Sequence, residues 1–187
     1  MNGVDFNKLV IAALLHDIGK FMMRTEMPHH SRYNELTKED YGRNGAHAKW
    51  SADFVSRYIS DETIEDLVLY HHNPGKAQEK RLAKYIQDAD HFSSAMDRTD
   101  REGEGKVKEE PLKSIFPLIL QETSSENAPD MYYPLETVQT GRSSYPVRRE
   151  QIKYWKLTEP YRVLWEGFIR DVEIAGKDFQ VGTLLYI

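Results

Sequence analysis

The chain contains no cysteine, and this absence excludes several classes of chemistry. Disulfides, thiolate nucleophiles and cysteine-ligated zinc sites all need a sulfur atom that is missing here. The absence fits a reducing compartment, and we expect a cytoplasmic protein. The longest apolar run covers residues 9–15, which is far too short to span a membrane. The N-terminal sequence lacks a basic segment leading into an apolar one, so no signal peptide is expected.

Motifs of nucleotide binding and serine catalysis are missing as well. The sequence has no G-x-S-x-G motif, no P-loop and no G-x-G-x-x-G motif, and GEGK at 103–106 lacks the Walker spacing. Excess positive charge is also missing, because the net charge is -5 and the pI is near 5.8. Autonomous nucleic-acid binders are usually basic, so any contact with nucleic acid is expected to be local, or assisted by partner chains or a metal cluster.

The residues that are present predict a mainly helical fold. The chain has 187 residues, of which 40% are hydrophobic and 29% are charged, enough for one domain or one domain with an appendage. Apolar periodicity predicts a helical core over residues 1–98. It contains a first helix from Asp5 to about Phe21 and a second over 46–59. A third is capped by Asp61 and ended by the segment 73–75, and a fourth covers 77–97.

The composition changes after residue 98. Residues 99–111 are charged and contain glycine, which predicts a mobile surface loop. Residues 112–187 are interpreted as a connecting segment with strand-like runs at 114–120 and 131–138, which favour a hairpin or small sheet. A turn at 141–145 and a helix from Thr158 to about Val172 follow. The apolar end of the chain indicates that this segment leads towards an absent downstream domain.

The polar pair His16–Asp17 lies inside the apolar run 9–21. Burying a carboxylate without a partner is costly, and a bound divalent ion would offset that cost. Each of the four helices carries potential ligands of this kind, and Asp90 shares the apolar face of its helix. Imidazole and carboxylate together suit Mn, Fe, Co, Ni or Zn. Because one carboxylate can bridge two ions, we expect a dinuclear or partly filled site centred on Asp17, built from His16, Asp17, His47, His71, His72 and Asp90.

Each ligand taken alone also has a structural explanation. The His-Asp dipeptide could occur by chance, and His71 could be a core histidine with ordinary partners. His47 could be a packing residue, and Asp90 could form a salt bridge with Lys84 or Arg98. The joint pattern of a His-Asp pair, a His-His pair and an aspartate on a core face favours the metal site.

Lys20 follows His16 by one helical turn and could neutralise a phosphate, which would make it catalytic with His16 and Asp17. The alternative is a favourable charge at a helix C-terminus. The pair His29–His30 falls in a loop and is expected to be solvent-exposed. His91 points away from the Asp90 face and is expected to be peripheral.

Four segments, ALLHDIGKF, GAHAKWSADFV, LVLYHHNP and DADHFSSAMDR, occur in that order. They resemble the HD metal-phosphohydrolase superfamily. More closely, they resemble the N-terminal HD domain of the large, Palm-containing subunit of type III-A (Csm-type) CRISPR effector complexes. The later runs SIFPLIL and YYPLETV are similar to the connecting segment before the Palm domain of that family. The resemblance implies a circularly permuted HD helical bundle followed by a small β-hairpin and further helices.

The resemblance also implies a function. It implies a metal-dependent single-stranded DNA nuclease, endo- or exonucleolytic, that works with the other subunits and guide RNA of an antiviral complex. Mn or Ni is the expected ion, with Co, Fe, Zn or Mg as alternatives. His16 and Asp17 would bind metal with Asp90, while His47, His71 and His72 would surround a second position bridged by Asp17.

One departure from the family pattern leaves a ligand unassigned, because ordinary HD enzymes have a histidine upstream of the pair and none precedes His16. Two other functions stay open from the sequence. One is an HD phosphohydrolase acting on small nucleotides, and the other is a non-catalytic scaffold that keeps the metal site for folding.

Overall fold

The computed structural model describes residues 3–43, 45–97, 110–117, 119, 129–137, 141 and 143–176. The chain forms two compact units, one of residues 1–101 and 165–187 and the other of residues 102–164. In the described part of the chain, no helix has the length and apolarity that a membrane crossing requires. Residues 99–109 of the predicted loop at 99–111 and the apolar C-terminal end at 181–187 lie outside the described residues.

The regular structure of the described residues includes seven α-helices and three short strands, besides two 3-10 turns and a few helical residues at 116, 117 and 119. The helices are α1 (Gly3–Leu15), α2 (Ile18–Arg24), α3 (Lys38–Tyr41), α4 (Ala46–Tyr58), α5 (Glu62–Leu69), α6 (Lys80–Asp97) and α7 (Thr158–Ala175). The strands are β1 (Leu112–Lys113), β2 (Met131–Tyr133) and β3 (Val147–Arg148). The prediction of a mainly α fold with a small antiparallel sheet is confirmed.

The first unit is built around α4 and α5. Helices α2 and α5 both pack against α4, and α1 packs against α5 and α6. Leu67, Val55 and Val68 are completely buried at the centre of the core. The C-terminal part of α7 completes it, because Trp165 lies edge-to-face on Phe21 with ring centroids 5.2 Å apart. This core brings the C-terminal end of α5 close to the start of α4, and the middle of α6 close to the C-terminal end of α1.

The predicted cap of α5 is confirmed. The Asp61 carboxylate accepts hydrogen bonds from the backbone N–H groups of Thr63 and Ile64, at 3.0 and 3.1 Å. These are two of the amides that a helix N-terminus leaves without partners. Asp61 also lies 2.8 Å from the Lys8 ammonium on α1. The cap therefore sets where α5 begins and ties that end to α1.

The prediction of one helix from Asp5 to Phe21 is wrong. The helix stops at Leu15, a turn holds His16 and Asp17, and α2 starts at Ile18. The Gly19 amide donates to the Ser51 hydroxyl of α4 at 2.8 Å instead of to a carbonyl one turn back. Losing this ladder bond breaks the helix, and the apolar periodicity of the sequence gave no sign of it.

The predicted extent of α5 was also too long, because the helix ends at Leu69 and leaves His71 and His72 in the turn that follows. The Nδ1–H of the His71 ring donates a hydrogen bond to the Val68 carbonyl. The Asn73 side chain donates to the Glu39 and Asp40 carbonyls at 3.0 Å. Both histidine-bearing pairs therefore lie in turns, where backbone direction changes can bring neighbouring side chains to one place.

The second unit contains a three-stranded antiparallel sheet in the order β1-β2-β3. Leu112 pairs with Tyr133, and Tyr132 pairs with Val147. The predicted strand at 114–120 is wrong for the residues described there, because Phe116, Pro117 and Ile119 are helical. Proline removes a ladder donor and suits a first helical turn. The second run forms a strand only over Met131–Tyr133, before Pro134.

Candidate metal centre

The turn between α1 and α2 presents the His16 and Asp17 side chains towards α4. The His16 Nδ1 lies 2.7 Å from the Ala13 carbonyl oxygen. A carbonyl can only accept, so this hydrogen bond requires the proton on Nδ1 and leaves the Nε2 lone pair available. The adjacent Gly19–Ser51 hydrogen bond holds the turn against α4. Backbone and α4 contacts thus fix which nitrogen of His16 can act as a ligand.

The turn after α5 orients His71 in the same way. Its Nδ1 donates to the Val68 carbonyl at 2.7 Å, and its side chain is completely buried. Among the described residues, neither His71 Nε2 nor His16 Nε2 has a hydrogen-bond partner, although both atoms are buried. A buried polar atom without a partner costs about 1–3 kcal/mol. The two buried lone pairs therefore indicate a place where an electron-pair acceptor, such as a metal ion, would bind.

The remaining predicted ligands converge on the same place. The His47 Nε2 lies 2.9 Å from Asp17 Oδ1 and 3.2 Å from the His72 Nε2. The His16 Nε2 lies 3.5 Å from Asp17 Oδ2 and 3.8 Å from Asp90 Oδ1. Two overlapping trios have ligand atoms within 4.8 Å of one another, namely His47, His71 and His72, and His16, Asp17 and His71.

The site keeps His71 and His72 neutral and the Asp17 carboxylate charged. Burial, followed by repulsion from neighbouring imidazoles, lowers the pKa of His71 to about 2 and that of His72 to about 4. Burial acts to raise the pKa of Asp17, but the close His47 and Lys20 side chains outweigh it and hold that pKa well below its usual range. Neutral imidazoles and an ionised carboxylate are the forms that bind metal ions.

These residues fit a divalent cation by their chemistry. Four imidazole nitrogens and two carboxylates form a mixed nitrogen and oxygen donor set, which suits borderline ions such as Mn, Ni, Co, Fe or Zn. The orphaned Nε2 atoms of His16 and His71 give an independent reason for an ion. The alternative pairing of Asp90 with Lys84 is not observed, because Lys84 lies 2.7 Å from Asp88 instead. Arg98 lies outside the described residues.

Lys20 lies at the solvent-facing edge of the site. Its Nζ is 2.6 Å from Asp17 Oδ2, and its side chain is 46% exposed. It belongs to the first turn of α2, so the prediction of a stabilising charge at a helix C-terminus is wrong. The ammonium instead supplies positive charge beside Asp17, where a phosphate approaching the site from solvent would meet it.

The other histidines are outside the cluster. His29 was expected to be solvent-exposed, but its side chain is only 18% exposed and its Nε2 lies 2.8 Å from Asp53 Oδ2. Its ring also packs against Trp50, because the loop after α2 folds back onto α4. His30 and His91 are exposed, as expected.

Sequence reasoning missed two residues that position the ligands. Ser51 is fully buried, lies one turn after His47 on α4 and accepts the Gly19 amide. Gln87 lies three residues before Asp90 on α6 and donates to the His72 carbonyl at 3.2 Å. Their positions at helical spacing from a ligand were the available signals, but serine and glutamine at such positions are common on any helix.

Comparison with protein families identifies the helical unit. The HD domain family model matches residues 1–95, which is just over half of the 187-residue chain. No curated protein matches the chain. The matched span contains all six clustered candidate ligands and Lys20. The chain therefore belongs to the HD domain family, whose members are divalent-metal-dependent phosphohydrolases.

Proposed function

We propose that this protein is a metal-dependent single-stranded DNA nuclease, the HD module of a type III CRISPR antiviral complex. The observation that carries the hydrolase chemistry is the convergence of four histidines and two aspartates, with two buried Nε2 atoms lacking partners. The resemblance of DADHFSSAMDR and the other three segments to the type III-A large subunit supports the substrate and the complex.

The accessibility of the site supports a polymeric substrate. Asp17 is 34% exposed and Lys20 is 46% exposed, whereas the His47 side chain behind them is only 7% exposed. A strand lying across the surface could therefore bring one phosphate to this edge without entering the core. Local positive charge from Lys20 would contact that phosphate, although the chain as a whole is acidic.

The chain's own residues would hold the ions and the substrate. Asp17 has two oxygens facing different partners, His47 and Lys20, which suits it to a bridging position. When bound, divalent ions supply an activated nucleophile and stabilise charge on the phosphoryl oxygens. Lys20 would bind a non-bridging phosphate oxygen. The six side chains proposed to hold the ions are His16, Asp17, His47, His71, His72 and Asp90.

A cleavage assay tests this function. The full chain, incubated with Mn²⁺ or Ni²⁺ and end-labelled single-stranded DNA, is expected to shorten the DNA, and EDTA is expected to stop the reaction. The His16→Ala/Asp17→Ala variant is expected to lose cleavage. His91→Ala is the matched control, since its imidazole is exposed and outside the cluster. Cleavage that survives the double substitution would show that the assigned site is wrong.

A nucleotide panel separates the two hydrolase functions. Turnover of deoxynucleoside monophosphates or cyclic dinucleotides, with no cleavage of single-stranded DNA, would contradict the nuclease proposal and favour a small-molecule phosphohydrolase. Metal-dependent stabilisation with no hydrolysis of either substrate would favour a scaffold instead. The panel uses the same protein and the same ions, so the outcomes are directly comparable.

An exposed apolar surface supports the proposed assembly with other subunits. In the second unit Leu112, Ile115, Phe116 and Ile119 are each between 52% and 68% exposed. Exposed apolar groups of this density mark protein-contact surfaces. We expect Phe116→Glu/Ile119→Glu to reduce co-purification of the full-length protein with the other subunits. The same changes should leave DNA cleavage by the isolated chain intact, and unchanged co-purification would contradict this surface assignment.

A further inference from the structure

We infer that His71 belongs to the ion held by His16 and Asp17, and not to the ion held by His47 and His72. This inference rests on the proposed metal-dependent function. It divides the site into two unequal halves, a four-donor half (His16, Asp17, His71 and Asp90) and a three-donor half (His47, His72 and Asp17). The family resemblance implies the opposite assignment, with His71 beside His47 and His72.

Only one nitrogen of His71 can bind an ion. Its Nδ1 proton is committed to the Val68 carbonyl at 2.7 Å, inside the core. The remaining nitrogen, Nε2, has a single lone pair in the ring plane and so serves one ion. His71 is a member of both trios, in each of which the candidate ligand atoms lie within 4.8 Å of one another. Distance alone therefore does not assign it to one ion. The hydrogen-bond partners of the Nε2 atoms of His16, His47 and His72 decide which of the two ions His71 would bind.

The Nε2 atoms of His47 and His72 already have partners. They pair with each other at 3.2 Å. Asp17 Oδ1 lies 2.9 Å from His47 Nε2, and it is buried without a hydrogen-bond partner in the described part of the chain. The Nε2 atoms of His16 and His71 are both buried and have no hydrogen-bond partner among the described residues. Their rings meet edge-to-face with centroids 5.0 Å apart. One ion between these two nitrogens would satisfy both.

The carboxylates complete the four-donor half. The His16 Nε2 is 3.5 Å from Asp17 Oδ2 and 3.8 Å from Asp90 Oδ1, so two imidazoles and two carboxylates face the same place. The sequence left one ligand of this ion unassigned, because no histidine precedes His16. His71 supplies that ligand from the turn after α5.

The two halves should differ in affinity and in openness. The four-donor half has two carboxylates, whereas the three-donor half has only the Asp17 carboxylate, which the two halves share. Metal sites with three protein ligands keep a position for water or substrate. We therefore expect the first ion to fill the four-donor half, and the ion in the three-donor half to keep a position for water.

Asparagine variants test the assignment by calorimetric titration of the metal-free full chain with Mn²⁺. Asparagine Nδ2 can replace histidine Nδ1 in the hydrogen bond to the backbone carbonyl, while the Nε2 ligand is removed. His16→Asn and His71→Asn are expected to weaken the first ion by at least about tenfold. His72→Asn should leave the first ion unchanged and weaken the second. If His71→Asn behaves like His72→Asn, the inference is wrong.

A second measurement needs no substitution at a buried position. Wild-type protein labelled with ¹⁵N-histidine is titrated with Zn²⁺, a diamagnetic ion, and the imidazole nitrogen resonances are followed. The Nε2 resonances of His16 and His71 should shift together with the first equivalent, and those of His47 and His72 with the second. A shift of His71 in the second step, or no binding at all, would overturn the inference. Neither experiment includes DNA, so absent DNA cleavage with ordered ion binding would reject only the nuclease.

Discussion

Replacing Gly19 with alanine would place a methyl group against the backbone of α4. An added Cβ would overlap the His47 carbonyl oxygen and lie 2.8 Å from the Ser51 amide nitrogen. Both contacts are backbone atoms in a helix, which cannot rotate away. Overpacking of this kind costs about 1–3 kcal/mol. Losing the buried Gly19–Ser51 hydrogen bond would add about 1–3 kcal/mol.

The helix propensity of alanine offsets part of this cost, by about 1 kcal/mol. We therefore expect Gly19→Ala to lower the free energy of unfolding by about 3 kcal/mol, taking the middle of these ranges. Urea denaturation followed by circular dichroism measures it. Since α2 must move away from His47, the affinity for Mn²⁺ should fall as well.

Gly167→Ala is the matched control for this prediction. Gly167 lies inside α7, and the nearest atom to an added Cβ is an Arg170 side-chain nitrogen at 3.8 Å. The same substitution there should raise stability by up to about 1 kcal/mol. Equal stability of Gly19→Ala and the wild type, with unchanged metal affinity, would refute the reasoning about the His-Asp turn.

Three further predictions concern the cap of α5, acid and metal. Asp61→Ala should lower the free energy of unfolding by about 1 kcal/mol, measured by urea denaturation, because two helix amides lose their acceptor. The metal-free protein should lose stability in thermal melts as the pH falls from about 6.5 towards 4. The pKa of His72 is about 4 in the folded protein and 6.5 in the unfolded chain, so in this range only the unfolded chain binds the proton. Mn²⁺ at 100 times its dissociation constant should stabilise the protein by about 2.7 kcal/mol, and EDTA should reverse the effect.

Each of these predictions has a contrary result. An Asp61→Asn variant keeps a capping oxygen and should recover part of the loss, so equal destabilisation by both substitutions would contradict the capping role. Replacing His72 with asparagine should reduce the pH dependence between 6.5 and 4 without abolishing it, since the lowered pKa of His71 acts over the same range, and an unchanged slope would place its origin elsewhere. Equal stabilisation by Mn²⁺ of the wild type and of the His16→Ala/Asp17→Ala variant would show that the ion binds outside the cluster.

The sequence predicted which residues cluster better than it predicted the backbone that carries them. Histidine and aspartate on apolar faces are rare without a partner, so His71 and Asp90 were visible as exceptions to periodicity. The same periodicity hid the turn after Leu15, because helix α2 continues the apolar pattern while the Gly19 amide bonds to α4. A hydrogen bond to a residue 32 positions away leaves no local signal.

The extent of the strands was less predictable than the helices for a related reason. Strands β1 to β3 have only two or three residues each, so two-residue alternation gives little information. Pro117 and Pro134 were visible in the sequence: Pro117 lies in the run that is helical instead of a strand, and Pro134 directly follows the end of β2. The pairing of β3 with β2 depends on contacts that residue order does not reveal.

The bonds from His16 and His71 to the carbonyls three residues earlier have a consequence for how the site can evolve. Both rings are immobilised by their own backbone turns, so capturing an ion would cost little rotamer entropy. The direction in which each Nε2 lone pair points then depends on where the preceding helix ends. Inserting one residue into α1 or α5 would rotate the ring by about 100° around the helix axis and turn the ligand away. Helix length is therefore as strongly constrained here as ligand identity.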